Sequence, residues 1–168
     1  MRWNSTKIIH VIVTILAWTM FVASLIYLAI KWNALPDTIG VHFNPPTGEF
    51  DLYDEKIFAL YPYGVWFGAM LVLEIAGILV NKIKTGMKIM AEGEKVFRRV
   101  TFILLDVIKI CLSIFWLNWA ICVIRQTQMI VWIPLAVSEI VRIAFVLFLI
   151  AVIVIRIKYR EIKVSEVE

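Results

Sequence analysis

The sequence predicts an all-α integral membrane protein, a four-helix bundle with an ordered extracellular loop between helices one and two. Three observations predict it. Of 168 residues, 62% are hydrophobic and the mean hydropathy is +0.88, whereas soluble globular domains are roughly 45–50% apolar. Four apolar runs each supply the about 20 residues that a bilayer crossing takes. Lys and Arg gather at alternate junctions between those runs, as they do in polytopic membrane proteins.

The first run covers residues 8–30 and follows Arg2 and Lys7. A secretory signal has an apolar region of about 7–15 residues and a small-residue cleavage site. This run is longer and no convincing site follows it, so helix one is expected to be retained as an anchor. Residues 31–57 then form a long loop rich in Pro, Gly and Asp. The remaining runs cover residues 58–80, 100–124 and 130–155. Only Arg125 to Met129 separate the last two, which makes them antiparallel neighbours. All four belong to one domain spanning residues 1–168. The stretch Lys82 to Arg99 reads as a topology-setting loop, with an amphipathic interfacial helix as the alternative.

Orientation follows from the basic residues. Arg2 and Lys7, then Lys82, Lys84, Lys88, Lys95, Arg98 and Arg99, then Arg156, Lys158, Arg160 and Lys163 share one side. Lys31, Lys56 and Arg125 lie on the other, with Asp37, Glu49, Asp51, Asp54 and Glu55. This division predicts a plasma-membrane protein with cytoplasmic N- and C-termini. Trp3 and Tyr159 are expected at the inner interface and Trp32, Tyr61, Tyr63 and Trp132 at the outer one, whereas Trp18 lies mid-helix and should pack. Because the basic residues flank apolar runs, the net charge of +4 points to the lipid bilayer as partner and not to nucleic acid. Cys111 and Cys122 fall on one helix about 16 Å apart, too far to bond to each other, and read as small packing residues.

Five ionisable residues lie inside the runs: Glu74, Asp106, Lys109, Glu139 and Arg142. At the bilayer centre each costs on the order of 2.5–3.5 kcal/mol on insertion scales, so all five are expected to face the bundle interior. Asp106 with Lys109, and Glu139 with Arg142, are spaced to share a helix face. Glu74 lies at a similar depth, which places Lys109 between Glu74 and Asp106. The charges then lock helices two, three and four together or line a path for an ion, proton or peptide. Gly64 and Gly68 have the spacing that admits a close neighbouring helix. His10, in the first turn of helix one, is expected to be interfacial.

The loop holds strong local signals. Pro45-Pro46 implies an extended segment and Gly48 a turn, so the loop is ordered rather than slack. Leu35, Ile39, Val41, Phe43 and Tyr53 are apolar anchors for the top of the bundle. His42 and Asn44 alternate with apolar neighbours and are expected to point together into a polar contact. Three uses stay open: backbone hydrogen bonding, recognition of a peptide or partner, and a cation site with Glu49, Asp51 and Asp54. No resident metal or cofactor is expected.

In order along the loop, Leu35, Pro36, Ile39, His42, Phe43, Asn44, Gly48, Glu49, Asp51, Tyr53 and Lys56, with Pro62 just into the next helix, form a pattern. It resembles the signature of a small bacterial and archaeal membrane domain of unknown function, found at the N-terminus of SdpI-type immunity proteins against the sporulation-delaying toxin. There are two departures: Gly40 stands where proline is usual, and one extra residue separates Asn44 from Gly48. The resemblance covers about the first 80 residues. The chain looks too short for the additional helices of the full immunity protein. The resemblance implies a membrane module for toxin immunity or signalling, with Pro36, His42, Phe43, Asn44, Gly48, Glu49, Asp51, Tyr53 and Lys56 as binding candidates.

No nucleophile elbow, phosphate loop, zinc-helix motif or catalytic carboxylate pair is present in the sequence, so an enzyme is not expected. The leading expectation is a membrane binding protein that recognises a membrane-active peptide, such as a peptide toxin, or a membrane protein partner. A small transporter or transporter subunit using the intramembrane charges is the alternative. The sequence leaves the oligomeric state open.

Overall fold

The computed structural model describes residues 3–82, 86–87 and 89–160, with side chains from Thr6 onward. Arg2, Lys84, Lys88 and Lys163 and the side chain of Trp3 lie outside the described portion. Four helices make up most of the chain: α1 (Trp3–Lys31), α2 (Tyr61–Lys82), α3 (Ala91–Arg125) and α4 (Trp132–Lys158). Each contains a stretch long and apolar enough to cross a membrane. Together they define a multi-pass membrane protein by length and composition.

Between α1 and α2 the chain forms a two-stranded antiparallel hairpin, β1 (Thr38–Phe43) and β2 (Phe50–Glu55), flanked by short 3-10 turns at Trp32–Ala34 and Lys56–Leu60. The hairpin, the start of α2 and the α3–α4 connection gather at one end of the molecule, the hairpin end. Both described chain ends, the end of α2 and the start of α3 gather at the other, the terminal end, where Ile89 bridges Arg160.

α3 is the central element. With 35 residues it is about 52 Å long, well beyond an about 30 Å hydrocarbon core. α1, α2 and α4 all pack on it, and α4 packs antiparallel to it as its short connection requires. α3 begins nine residues before the expected start, which corrects the reading of Lys82–Arg99 as a loop. Its first turns are polar enough to conceal a helix from a hydropathy reading, but Glu94 and Arg98 pair one turn apart at 3.3 Å. Gly93 leaves room for Tyr159, just past the end of α4, to lie against that first turn.

Helix ends follow local chemistry. Pro62 and Pro134 sit in the first turns of α2 and α4, where a missing N–H removes no intrahelical bond. α3 ends with Gln126 in the left-handed region (φ 49°). There the Gln126 N–H bonds the Val123 carbonyl at 3.3 Å and the Thr127 N–H bonds that of Cys122 at 3.0 Å, a Schellman closure without its usual glycine.

The core runs from the middle of the helices to the hairpin end. Phe21 of α1 stacks edge-on against Trp66 of α2 and Trp18, with centroids 5.2 and 5.8 Å away. Trp18 thus packs, as its mid-helix position implied. Tyr63, expected at the outer interface, is instead buried and donates its hydroxyl to the Ser24 carbonyl at 3.0 Å. Cys111 and Cys122 are buried and free. At Gly64 and Gly68 an added Cβ would meet nothing within 4 Å, so among the described residues neither glycine receives a neighbouring helix.

Candidate functional site

The hairpin is ordered because three separate contacts hold it to the helices. Leu35, Ile39 and Phe43 are buried in the core, with Val41 packed against it. The Gly40 N–H donates to Gln126 Oε1 at 2.9 Å, while Gln126 Nε2 returns a bond to the Val123 carbonyl at 2.6 Å. At the tip, Met129 N–H bonds the Gly48 carbonyl at 2.8 Å and Gln128 Nε2 bonds Glu49 Oε1 at 3.0 Å. The strap Gln126–Met129 is therefore the seat of the hairpin.

Two glycines are required by this docking. Gly40 lies under the Phe50 ring, which would collide with any Cβ there. Gly48 has φ +72°, and a Cβ would meet the Met129 carbonyl oxygen. Pro45 and Pro46 sit in the turn between the strands, correcting the expectation of an extended segment there. The turn is closed by Asn44 N–H to the Glu49 carbonyl and Gly48 N–H to the Asn44 carbonyl, both at 2.8 Å. Register is regular from Thr38↔Glu55 to Gly40↔Tyr53 and irregular on both sides of His42. That irregularity lets Gly40 and Phe43 both be buried while His42 stays exposed.

The remaining loop candidates divide by role. Lys56 Nζ meets Asp37 Oδ1 at 3.0 Å and its N–H bonds the Asp37 carbonyl at 2.9 Å, closing the base. His42 Nδ1 and Asp51 Oδ1 lie 2.6 Å apart across the strands on the exposed face. Pro36 is exposed. Tyr53 is 59% exposed and touches the Phe50 ring, so it is no anchor for the bundle top. Asp54 caps the Glu55 N–H at 2.8 Å. The cation-site reading fails on this geometry: His42 pairs with Asp51, Glu49 turns to Gln128 and Asp54 to its own strand. Among the described residues no three His, Cys, Asp or Glu side chains are grouped to hold a metal ion.

Between the hairpin and the ends of α3 and α4 lies a groove of about 470 Å³, within the common range of ligand pockets. His42, Phe43, Asn44 and Gly48 line one side, Phe115, Trp116 and Trp119 of α3 the second, and Met129, Pro134 and Ser138 the third. His42 and Asn44 both border this groove, but Phe43 borders it too and the His42 ring pairs with Asp51, so the two do not meet in the polar contact expected from their alternation, because the register is irregular on both sides of His42. The surface is mainly aromatic and aliphatic, with His42, Asn44 and Ser138 as its polar points. Sequence reasoning missed the α3 and α4 side of the groove. The Trp116-x-x-Trp119 spacing was the available signal, because it places two large aromatics on one helix face near the hairpin end.

The intramembrane charges form a second constellation, and only part of it faces inward. Lys109 is wholly buried, and its ammonium donates to Glu74 Oε1 and Thr14 Oγ1, each at 2.7 Å. The pairing of Lys109 with Glu74 was expected; the contribution of α1 through Thr14 was not. Asp106 is 7% exposed and pairs with His10 rather than with Lys109, its Oδ1 lying 2.6 Å from His10 Nδ1. His10 is thus an interior residue, packed edge-on to Phe102 at 4.7 Å, which corrects its interfacial assignment. Asp106 turns to α1 because the rotation of α3 places it against that helix. Glu139 and Arg142 contradict the interior expectation outright. They pair at 3.1 Å but their side chains are 54% and 69% exposed, because α3 is the helix on which α4 packs and the pair lies on the side turned away from it.

No family model, no curated protein and no solved structure matches this chain.

Proposed function

We propose that this protein is a plasma-membrane binding protein that takes a membrane-active amphipathic peptide into the groove beneath its outward-facing hairpin. The observation that carries this reading is the groove itself. It is preformed, lined by aromatics at the hairpin end of the bundle, and capped by a hairpin held at three places. An apolar peptide face would lie against Phe43, Trp116 and Trp119, while His42, Asn44 and Ser138 would take its polar edge. The charge division between the two ends supports cytoplasmic termini and an exposed hairpin. The resemblance of the loop to the SdpI-type domain supports a role in toxin immunity or signalling, and a binding role requires no catalytic group.

The transporter reading draws on the buried Glu74–Lys109 pair. A column of packed side chains argues against it: on the hairpin side of that pair lie Ala17, Met70 and Ser113, then Phe21 and Trp66, all buried. Toward the terminal end the titratable groups continue with Asp106 and His10.

The test uses cells producing matched amounts of each variant, challenged with a panel of membrane-active amphipathic peptides. The wild type is expected to raise survival against at least one peptide. Trp116→Ala with Trp119→Ala, and separately His42→Ala with Asn44→Ala, are expected to remove that protection while the protein still reaches the membrane. Protection unchanged in both double variants would overturn the groove as the binding site.

A further inference from the structure

The face of α4 turned away from α3 carries an ion pair that none of the described residues covers. Pro134, Val141, Phe148 and Ile155 are among the half-buried or buried residues of α4, on the side that meets α3. On the opposite side, Glu139, Arg142, Val146, Ile150, Ile153 and Ile157 recur every third or fourth residue and are all exposed. This is the spacing of a helix–helix contact stripe. At about 1.5 Å per residue Arg142 lies only about 5 Å from the midpoint of α4, where a charge facing lipid is strongly disfavoured. The remaining exposed residues of the stripe are aliphatic and suit either lipid or another helix. The charged pair suits only a partner.

We propose that this stripe is the contact between two copies of the chain, with α4 packed on α4 of the partner subunit about a two-fold axis along the membrane normal. Charge complementarity selects a second copy as the occupant. Every copy enters the membrane in the same orientation, so the two α4 helices meet parallel and equal depths face each other. Glu139 and Arg142 are three residues apart, about 4.5 Å along the axis, so each Arg142 reaches across to the Glu139 of the partner subunit while keeping its own. The result is a closed ring of two carboxylates and two guanidinium groups with no net charge. Valence allows it: the single Arg142 Nη1–Glu139 Oε1 contact of 3.1 Å engages one corner of a guanidinium that has five N–H donors. An unrelated helix would need a carboxylate and a cation of its own about one turn apart within reach of this pair. A second copy brings them by symmetry, each offset by three residues from the group it meets.

Oxidative cross-linking in native membranes tests this. Val146→Cys, at the centre of the stripe, is expected to give a disulfide-linked dimer. Phe148→Cys, whose position meets Phe97 of α3, gives none, and the wild type gives none because Cys111 and Cys122 are buried. Adding Glu139→Arg to Val146→Cys should abolish the dimer, and adding Arg142→Glu to that variant should restore it, since the double exchange rebuilds every ion pair. As a measurement free of substitutions, tagged wild-type chains diluted in liposomes are expected to bleach in two steps. Cross-linking at Val146 no greater than at Phe148, single-step bleaching of the wild type, or a cross-link indifferent to Glu139→Arg would each overturn the proposal.

Discussion

Replacing Lys109 by Met should destabilise the protein far more than replacing Lys109 and Glu74 together. The Lys109 ammonium has no exposure and holds Glu74 and Thr14 at 2.7 Å each. Lys109→Met therefore leaves the Glu74 carboxylate inside the bundle without its cation, and the Asp106 carboxylate remains one turn away. Removing one partner of a buried ion pair costs about 3–5 kcal/mol, because the other charge stays desolvated. Glu74→Gln with Lys109→Met removes both charges. What then remains is the loss of two hydrogen bonds, at about 1 kcal/mol each, and some repacking. The double variant should accordingly recover about 1–3 kcal/mol of the single variant's loss, within the range of coupling found for residues in direct contact. Reversible unfolding in bicelles measures all four proteins of the cycle. A double variant no more stable than Lys109→Met would refute the pairing, as would strict additivity of the two single changes.

Two further substitutions probe how the hairpin is held. Gly40→Val should push the Phe50 ring off β1 at a cost of about 1–3 kcal/mol, the usual range for overpacking, and should speed amide exchange across the strands; unchanged exchange would contradict the close approach of ring to backbone. Gln126→Ala removes the side-chain bonds to Gly40 and Val123 at about 1 kcal/mol each and should expose the Gly40 amide selectively, whereas protection of that amide at the wild-type level would show that the hairpin is seated without Gln126.

The sequence disclosed those features that depend on one-dimensional pattern. Four apolar runs became four helices, and Leu35, Ile39 and Phe43 became the buried anchors of the hairpin. Glu74 and Lys109 met because equal depth on two adjacent helices is a distance that can be counted in residues. What escaped depends on helix rotation. Asp106 and Lys109 share a face by spacing, yet one turns to His10 and the other to Glu74, a choice fixed by how α3 is rotated between α1 and α2. Glu139 and Arg142 carry the same spacing signal as an interior pair, and only the peripheral position of α4 reveals that they face outward. The groove was half legible: its hairpin side stood out as a cluster of signature residues, whereas Trp116, Trp119 and Met129 reach it only through the docking of the hairpin on the Gln126–Met129 strap.

A binding role for the groove requires the hairpin to stand outside the cell, and cysteine accessibility in intact cells measures that directly. Thr47 at the hairpin tip and Glu92 in the first turn of α3 are both exposed and lie at opposite ends of the molecule. Thr47→Cys is expected to react with a membrane-impermeant maleimide in whole cells, and Glu92→Cys only after the membrane is opened. Labelling of Glu92→Cys in intact cells with Thr47→Cys protected would contradict the account.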